Sequence, residues 1–161
     1  MSNRLTSILT FLLAIGLVLG LSAPTVAAND TPPASPTKIV IEPEGNQMKF
    51  ATTEFTVEPG EKVRLVFENT ASSPAMIHNV VLLSTSNDAV VREVGQAGAG
   101  AGASADYVPD HDAILAATDV AKPGETVEVT FTAPEKTGEV TYVCTYPGHW
   151  ATMQGTMRVA N

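Results

Sequence analysis

Cys144 is the only cysteine in the chain, and it opens the segment Cys144-Thr145-Tyr146-Pro147-Gly148-His149-Trp150-Ala151-Thr152-Met153. A histidine follows five positions later and a methionine four positions after that. Thiolate, imidazole and thioether in one tight loop are soft ligands that suit copper. A second histidine stands far upstream, in Met76-Ile77-His78-Asn79. Two histidines, one cysteine and one weakly bound methionine make up the donor set of a blue-copper electron-transfer site. On this reading the metal ligands are His78, Cys144, His149 and Met153, and the cofactor is one copper ion.

The spacing has a physical reason. Proline fixes φ and glycine accepts positive φ, so Pro147-Gly148 forces a turn. That turn can fold Cys144 and His149 back toward one point. Met153 lies about one further turn along. His78 has to come from another part of the fold, because one short loop rarely encloses a metal. A strand 66 positions upstream can supply it in a sandwich, where distant strands become neighbours.

The segments that would do this read as β. Lys38–Ile41, Met48–Val57, Lys62–Asn69, Asn79–Ser84, Thr126–Thr132, Glu139–Thr145 and Thr156–Val159 are rich in Val, Ile, Thr and Phe. Val63, Leu65 and Phe67 alternate with Lys62, Arg64 and Glu68, and Val127, Val129 and Phe131 with Thr126, Glu128 and Thr130. Turn signals separate the runs at Glu58-Pro59-Gly60-Glu61, Lys122-Pro123-Gly124-Glu125 and Lys136-Thr137-Gly138-Glu139. This pattern predicts an all-β sandwich of two sheets. Residues 87–120 interrupt it as a flap inserted between strands. Asn87–Val94 reads as a short helix, Gly95–Ala105 as a mobile Gly/Ala loop, and Asp106–Ala117 as room for another helical turn or two.

With 161 residues, the chain has enough length for one domain with a real core. Arg4, the apolar run Ile8–Leu21 and the small residues Val26-Ala27-Ala28 read as a signal peptide over 1–28. If retained, this segment would be an anchor, although a 14-residue run is short for a membrane span. Residues 29–37, with Pro32, Pro33 and Pro36, read as an extended linker, and 38–161 as the folded domain. Export places the chain in a periplasmic or other extracytoplasmic compartment. A single cysteine there cannot form an intrachain disulfide, which leaves intermolecular pairing, reactivity or metal ligation, and the neighbouring His and Met favour the last.

The net charge is −8, and removal of residues 1–28 takes away Arg4 and no acid, leaving −9. That balance argues against nucleic acid as a partner. It suits a monomer that repels its own copies and is steered toward a basic partner, and it suits plain solubility equally well.

The motifs Met76-Ile77-His78-Asn79, Ala105-Asp106-Tyr107-Val108, and Cys144-Thr145-Tyr146-Pro147-Gly148-His149 followed by Met153 and Gly155-Thr156-Met157 resemble the cupredoxins, and within them the azurin and auracyanin branch. The resemblance covers roughly residues 38–161. It implies a Greek-key β-sandwich, three strong equatorial ligands in His78, Cys144 and His149, and a weak axial ligand in Met153. It also implies a backbone carbonyl opposite the methionine, here at Ile77, where azurins usually carry glycine. Asn79 matches the family asparagine that pins the ligand loop, with Thr145 as its partner. The azurin disulfide has no counterpart in a one-cysteine chain. The resemblance further implies redox partners such as c-type cytochromes or respiratory and photosynthetic complexes.

Each residue also has a plainer reading. A lone cysteine is usually a buried small hydrophobe, and a methionine is often core filler. His78, followed by Val80, Val81, Leu82 and Leu83, could be a satisfied core histidine. His111, in Pro109-Asp110-His111-Asp112, reads as solvent-exposed. Met76 and Trp150 could form an apolar rim around the site, Trp150 equally a core aromatic. Gly-x-Ser-x-Gly is absent, and three histidines are too few for a second copper site, so the chain reads as a carrier and not an enzyme. A copper carrier or buffer that hands metal to an oxidase is the alternative. A zinc-bound or metal-free domain ranks behind both, since zinc prefers stronger ligands than thioether.

Overall fold

The computed structural model describes residues 35–161, and the signal-peptide and most of the linker assignments lie outside them. Eight strands form two sheets: β1 (Thr37–Ile41), β2 (Glu54–Val57), β3 (Lys62–Glu68), β4 (Val81–Leu83), β5 (Ile114–Ala117), β6 (Thr126–Thr132), β7 (Gly138–Val143) and β8 (Gln154–Val159). One sheet has the order β1-β3-β6, the other β2-β8-β7-β4-β5. Neighbours run antiparallel except β1 with β3 and β2 with β8. The fold is a Greek-key β-sandwich carrying a helical flap.

Alternation builds the interior. On β3, Val63, Leu65 and Phe67 are buried while Lys62 and Arg64 face water. Phe131 does the same on β6. From the other sheet come Val57, Leu82, Val140, Tyr142, Met157 and Val159, and the two sets share one core. Tyr142 lies flat against β8 at Gly155, where a Cβ would stand 2.1 Å from its ring. Its hydroxyl donates to the Thr52 carbonyl. Phe50, which the sequence put in a strand from Met48, makes only an isolated bridge with Pro43. The long β2 expected from Met48 therefore begins at Glu54.

A second core lies on the outer face of the five-stranded sheet. Val81, Leu83 and Val143 point outward there and meet Val91 and Val94 of α1 (Asp88–Ala101). The expected mobile Gly/Ala loop is instead the last turns of this helix. Its start is fixed by the Asn87 side chain, which accepts from the Ala89 and Val90 amides. It ends at Gly102, with φ 75°. Beyond a short 3-10 turn at Ala103–Ala105, the expected helical residues up to Ala117 include β5. Ile114 and Ala116–Ala117 pair with β4, so sheet pairing overrides local pattern there. Among the described residues no helix is long and apolar enough to cross a membrane.

Candidate metal centre

Cys144 follows directly on β7, and Met153 directly precedes β8. Because these strands are antiparallel neighbours, the loop ends sit side by side, and the Cys144 amide donates to the Met153 carbonyl at 3.0 Å. Within the loop the His149 amide donates to the Tyr146 carbonyl at 3.0 Å, and Gly148 has φ 85°. Proline second and a left-handed glycine third make a type II turn. The His149 carbonyl then accepts from the Thr152 and Met153 amides at 3.1 and 2.9 Å. One turn thus carries the chain from histidine to methionine.

His78 reaches the same point from the other side. It lies in an isolated bridge with Ala121, just before β4, with bonds of 3.2 and 2.8 Å. Asn69 fastens that bridge, donating to the Met76 and Ala121 carbonyls at 2.8 Å each. The preceding Ile77 is half-buried, and its amide donates to the Ala75 carbonyl.

The result is a convergence of three buried donor atoms. His78 Nδ1 and His149 Nδ1 are 3.0 Å apart. Cys144 Sγ is 3.9 Å from the first and 3.7 Å from the second. Separations of 3–4 Å are what three donors require to share one ion at about 2.0 Å from nitrogen and about 2.3 Å from sulfur. Met153 is fully buried in the same cluster as Cys144. The donor set therefore fits a soft metal.

Electrostatics point the same way. Burial, and then the nearness of His149, push the His78 pKa down to about 4. Burial lowers that of His149 too. Both imidazoles are therefore neutral near pH 7 and available as ligands. Burial pushes the Cys144 thiol up to about 12, against smaller opposing hydrogen bonds from Asn79 and Tyr146. A cation must displace that proton to use the sulfur.

Asn79 ties the two halves together. It is fully buried, its Oδ1 accepts from the Thr145 amide at 2.8 Å, and its Nδ2 donates to Thr145 Oγ1 at 2.9 Å. The same Nδ2 donates to the Asp106 carbonyl at 2.8 Å. Asp106 and Tyr107 hold left-handed backbone, φ 50° and 56°. Asp106 Oδ1 accepts from the Val120 amide. The Tyr107 ring meets Tyr146 at 4.9 Å between centroids, and Tyr146 meets His149 at 5.0 Å.

His111 is not part of the centre. It is half-buried, its Nδ1 accepts from the Ala113 amide, and its Nε2 lies 3.7 Å from Glu93 of α1. Trp150 packs half-buried against α1 and the second core. Met76 instead lines an open cleft with Met48 and Thr152. The sequence reading missed Gly95 and Gly98, which let α1 lie against the ligand loop. Two glycines three apart in an Ala-rich run are the one signal that could have found them.

The plastocyanin/azurin family model of copper-binding proteins matches residues 37–160. Auracyanin-A of Chloroflexus aurantiacus is 39% identical over 127 residues, 78% of this chain and 76% of that protein. Azurin of Alcaligenes faecalis is 35% identical over 125 residues, 73% of this chain and 95% of that one. The solved structure of auracyanin A, described as a "blue" copper protein, superposes with a TM-score of 0.72 at 38% identity, covering 78% of this chain and all of that one.

Proposed function

Since the chain belongs to the plastocyanin/azurin family of copper-binding proteins, we propose that it is a blue-copper electron carrier that docks transiently with redox partners outside the cytoplasm. The convergence of His78 Nδ1, His149 Nδ1 and Cys144 Sγ within 4.8 Å, all buried, carries this reading. His78, Cys144 and His149 would hold the copper as strong ligands, and Met153 and the Ile77 carbonyl would be the weaker contacts. Asn79 and Thr145 brace the loop from behind.

When bound, copper supplies a one-electron couple between Cu(I) and Cu(II). The chain's part is to keep the donors still and dry. Asn69, Asn79 and the type II turn fix three donor groups by backbone and side-chain bonds, so little has to move when the charge changes. His149 is the exit toward a partner, because exposed Pro147 and Gly148 adjoin it in the loop. The exposed Met48 and half-buried Met76, which share a cleft with Thr152 of the loop, offer soft apolar surface for a weak encounter. A net charge of −8 favours a partner with a basic face, such as a c-type cytochrome. Residues 1–28 act as the export leader, and as a membrane tether only if retained.

Metal analysis, a visible spectrum, and electron exchange with a c-type cytochrome test the proposal together. One copper per chain, an intense band in the visible and rapid reversible exchange are expected. Tight copper binding with no measurable exchange would instead identify a metal carrier, and zinc in place of copper would discard both readings.

A further inference from the structure

The helix α1 meets the ligand loop at two positions without side chains, Gly95 and Gly98. A Cβ at Gly95 would stand 2.5 Å from Trp150 Cγ and 2.6 Å from Trp150 Cβ. A Cβ at Gly98 would stand 2.4 Å from the Thr145 carbonyl oxygen and 2.9 Å from that of Tyr107. Both glycines are buried on the face of α1 that also buries Val91 and Val94. A glycine in a helix interior is unfavourable relative to alanine. The compensation here is close approach: the helix seats directly on residues 145 and 150.

Trp150 occupies the Gly95 notch. Its indole joins the cluster of Val81, Leu83, Val91, Val94 and Val143. Its carbonyl accepts from Gln154 Nε2 at 2.7 Å, so residue 150 is fixed by ring and backbone alike. Trp150 also borders an open cleft lined by Asp88, Val91, Arg92 and Gln154, and its close contact with α1 is at Gly95. One peptide bond away, the His149 backbone bonds only within its own loop, and its Nδ1 faces His78 Nδ1 and Cys144 Sγ. Its ring touches Tyr146 and the facing His78.

We propose that Trp150, seated in the Gly95 notch of α1, is a positioning residue that holds His149 at the metal centre. The inference rests on the reading of His149 as a copper ligand. The flap thereby acts on the metal site by a second route, besides the Asp106–Asn79 contact.

The test uses the copper-loaded protein and its variants Trp150→Ala, Trp150→Phe, Gly95→Ala and Gly95→Ala combined with Trp150→Gly. Three quantities are read: the rate of Cu(I) loss to an excess of chelator, the copper hyperfine splitting and visible bands, and the melting temperature. Trp150→Ala and Gly95→Ala should each release copper about tenfold faster, the lower end for lost support of a ligand. Both should also shift the spectra. Trp150→Phe, which still fills the notch, should stay near the parent protein. Gly95→Ala should add nothing in a Trp150→Gly background, where no Cβ remains to collide with. If Trp150→Ala melts lower yet keeps the parent's release rate and spectra, Trp150 only stabilises the fold and the proposal is wrong. Should Gly95→Ala fail to fold, the Ala and Phe variants at 150 decide the matter alone. A parent protein that takes up no copper overturns the functional reading itself, a result separate from any difference among variants.

Discussion

His78 and His149 meet at one point, but they are held by opposite kinds of structure. His78 stands in a bridge between chain segments, is wholly buried, and rests edge-on to Phe67 of the core. Its Nε2 finds no hydrogen-bond partner among the described residues, so the ring is oriented by packing and by its Nδ1 contacts with His149 and Cys144. His149 stands in a loop, keeps 6% of its surface exposed, and adjoins the exposed Pro147-Gly148 turn. The contrast separates two tasks. One wall of the site is sealed by the core, while the other lies next to exposed loop residues. A single metal site can thus be both insulated and reachable.

Cys144 belongs to both walls, and its loss should have the largest effect. Cys144→Ser replaces the only soft anionic donor by a hydroxyl that will not ionise in a buried site. The intense visible band should vanish, and an absorption spectrum of the copper-treated variant checks it. A band of unchanged intensity would remove sulfur from the assignment. Next come the histidines, taken as a pair. His149→Gly opens a gap toward solvent, and added imidazole should enter it and restore much of the spectrum. His78→Gly leaves a cavity beneath the surface, where imidazole should restore little. Equal rescue at both positions would break the contrast between sealed and open walls.

The open wall was the more legible in the sequence. Cys144, Pro147-Gly148, His149 and Met153 lie within ten residues, and local turn chemistry alone brings them together. The sealed wall was legible only as a residue type. His78 owes its place to the pairing with Ala121, a contact across 43 positions that no local pattern records. The two-sheet architecture followed from alternation on β3 and β6, because each has one wet face. Alternation gave no clue at β5, where Ile114–Ala117 lies at a sheet edge and only Leu115 is exposed. The Gly/Ala run misled for a related reason. Glycine signals a flexible loop when nothing touches it, yet Gly95 and Gly98 are small because Trp150 and Thr145 sit against them.

Asn79 joins the walls, so its removal should weaken both by a moderate amount. Asn79→Ala leaves the buried Thr145 amide and the half-buried Asp106 carbonyl without their partner. A cost of about 3 kcal/mol is expected, from about 1–3 kcal/mol for each stranded group. Denaturant unfolding of the metal-free protein measures it. Asn79→Asp retains an acceptor for Thr145 but loses the amide donor, and should fall between alanine and the parent. An alanine variant as stable as the parent would mean that the walls stand independently.

The smallest effect distinguishes the histidines by pH in the metal-free protein. Burial and the facing His149 depress His78 to about 4, whereas burial alone is the cause at His149. In the unfolded chain both titrate near their ordinary value of about 6.5. Above that value neither state binds the extra proton, and stability is at its full level. As pH falls from about 6.5 toward about 4, the unfolded chain takes up protons that the folded one refuses, and stability declines. The melting temperature of the metal-free protein should therefore drop over that window, more steeply than carboxylate titration explains. His78→Asn should flatten the curve more than His149→Asn, since it removes the group with two causes of depression. Equal flattening by both would show that the sealed wall excludes charge no more strongly than the open one.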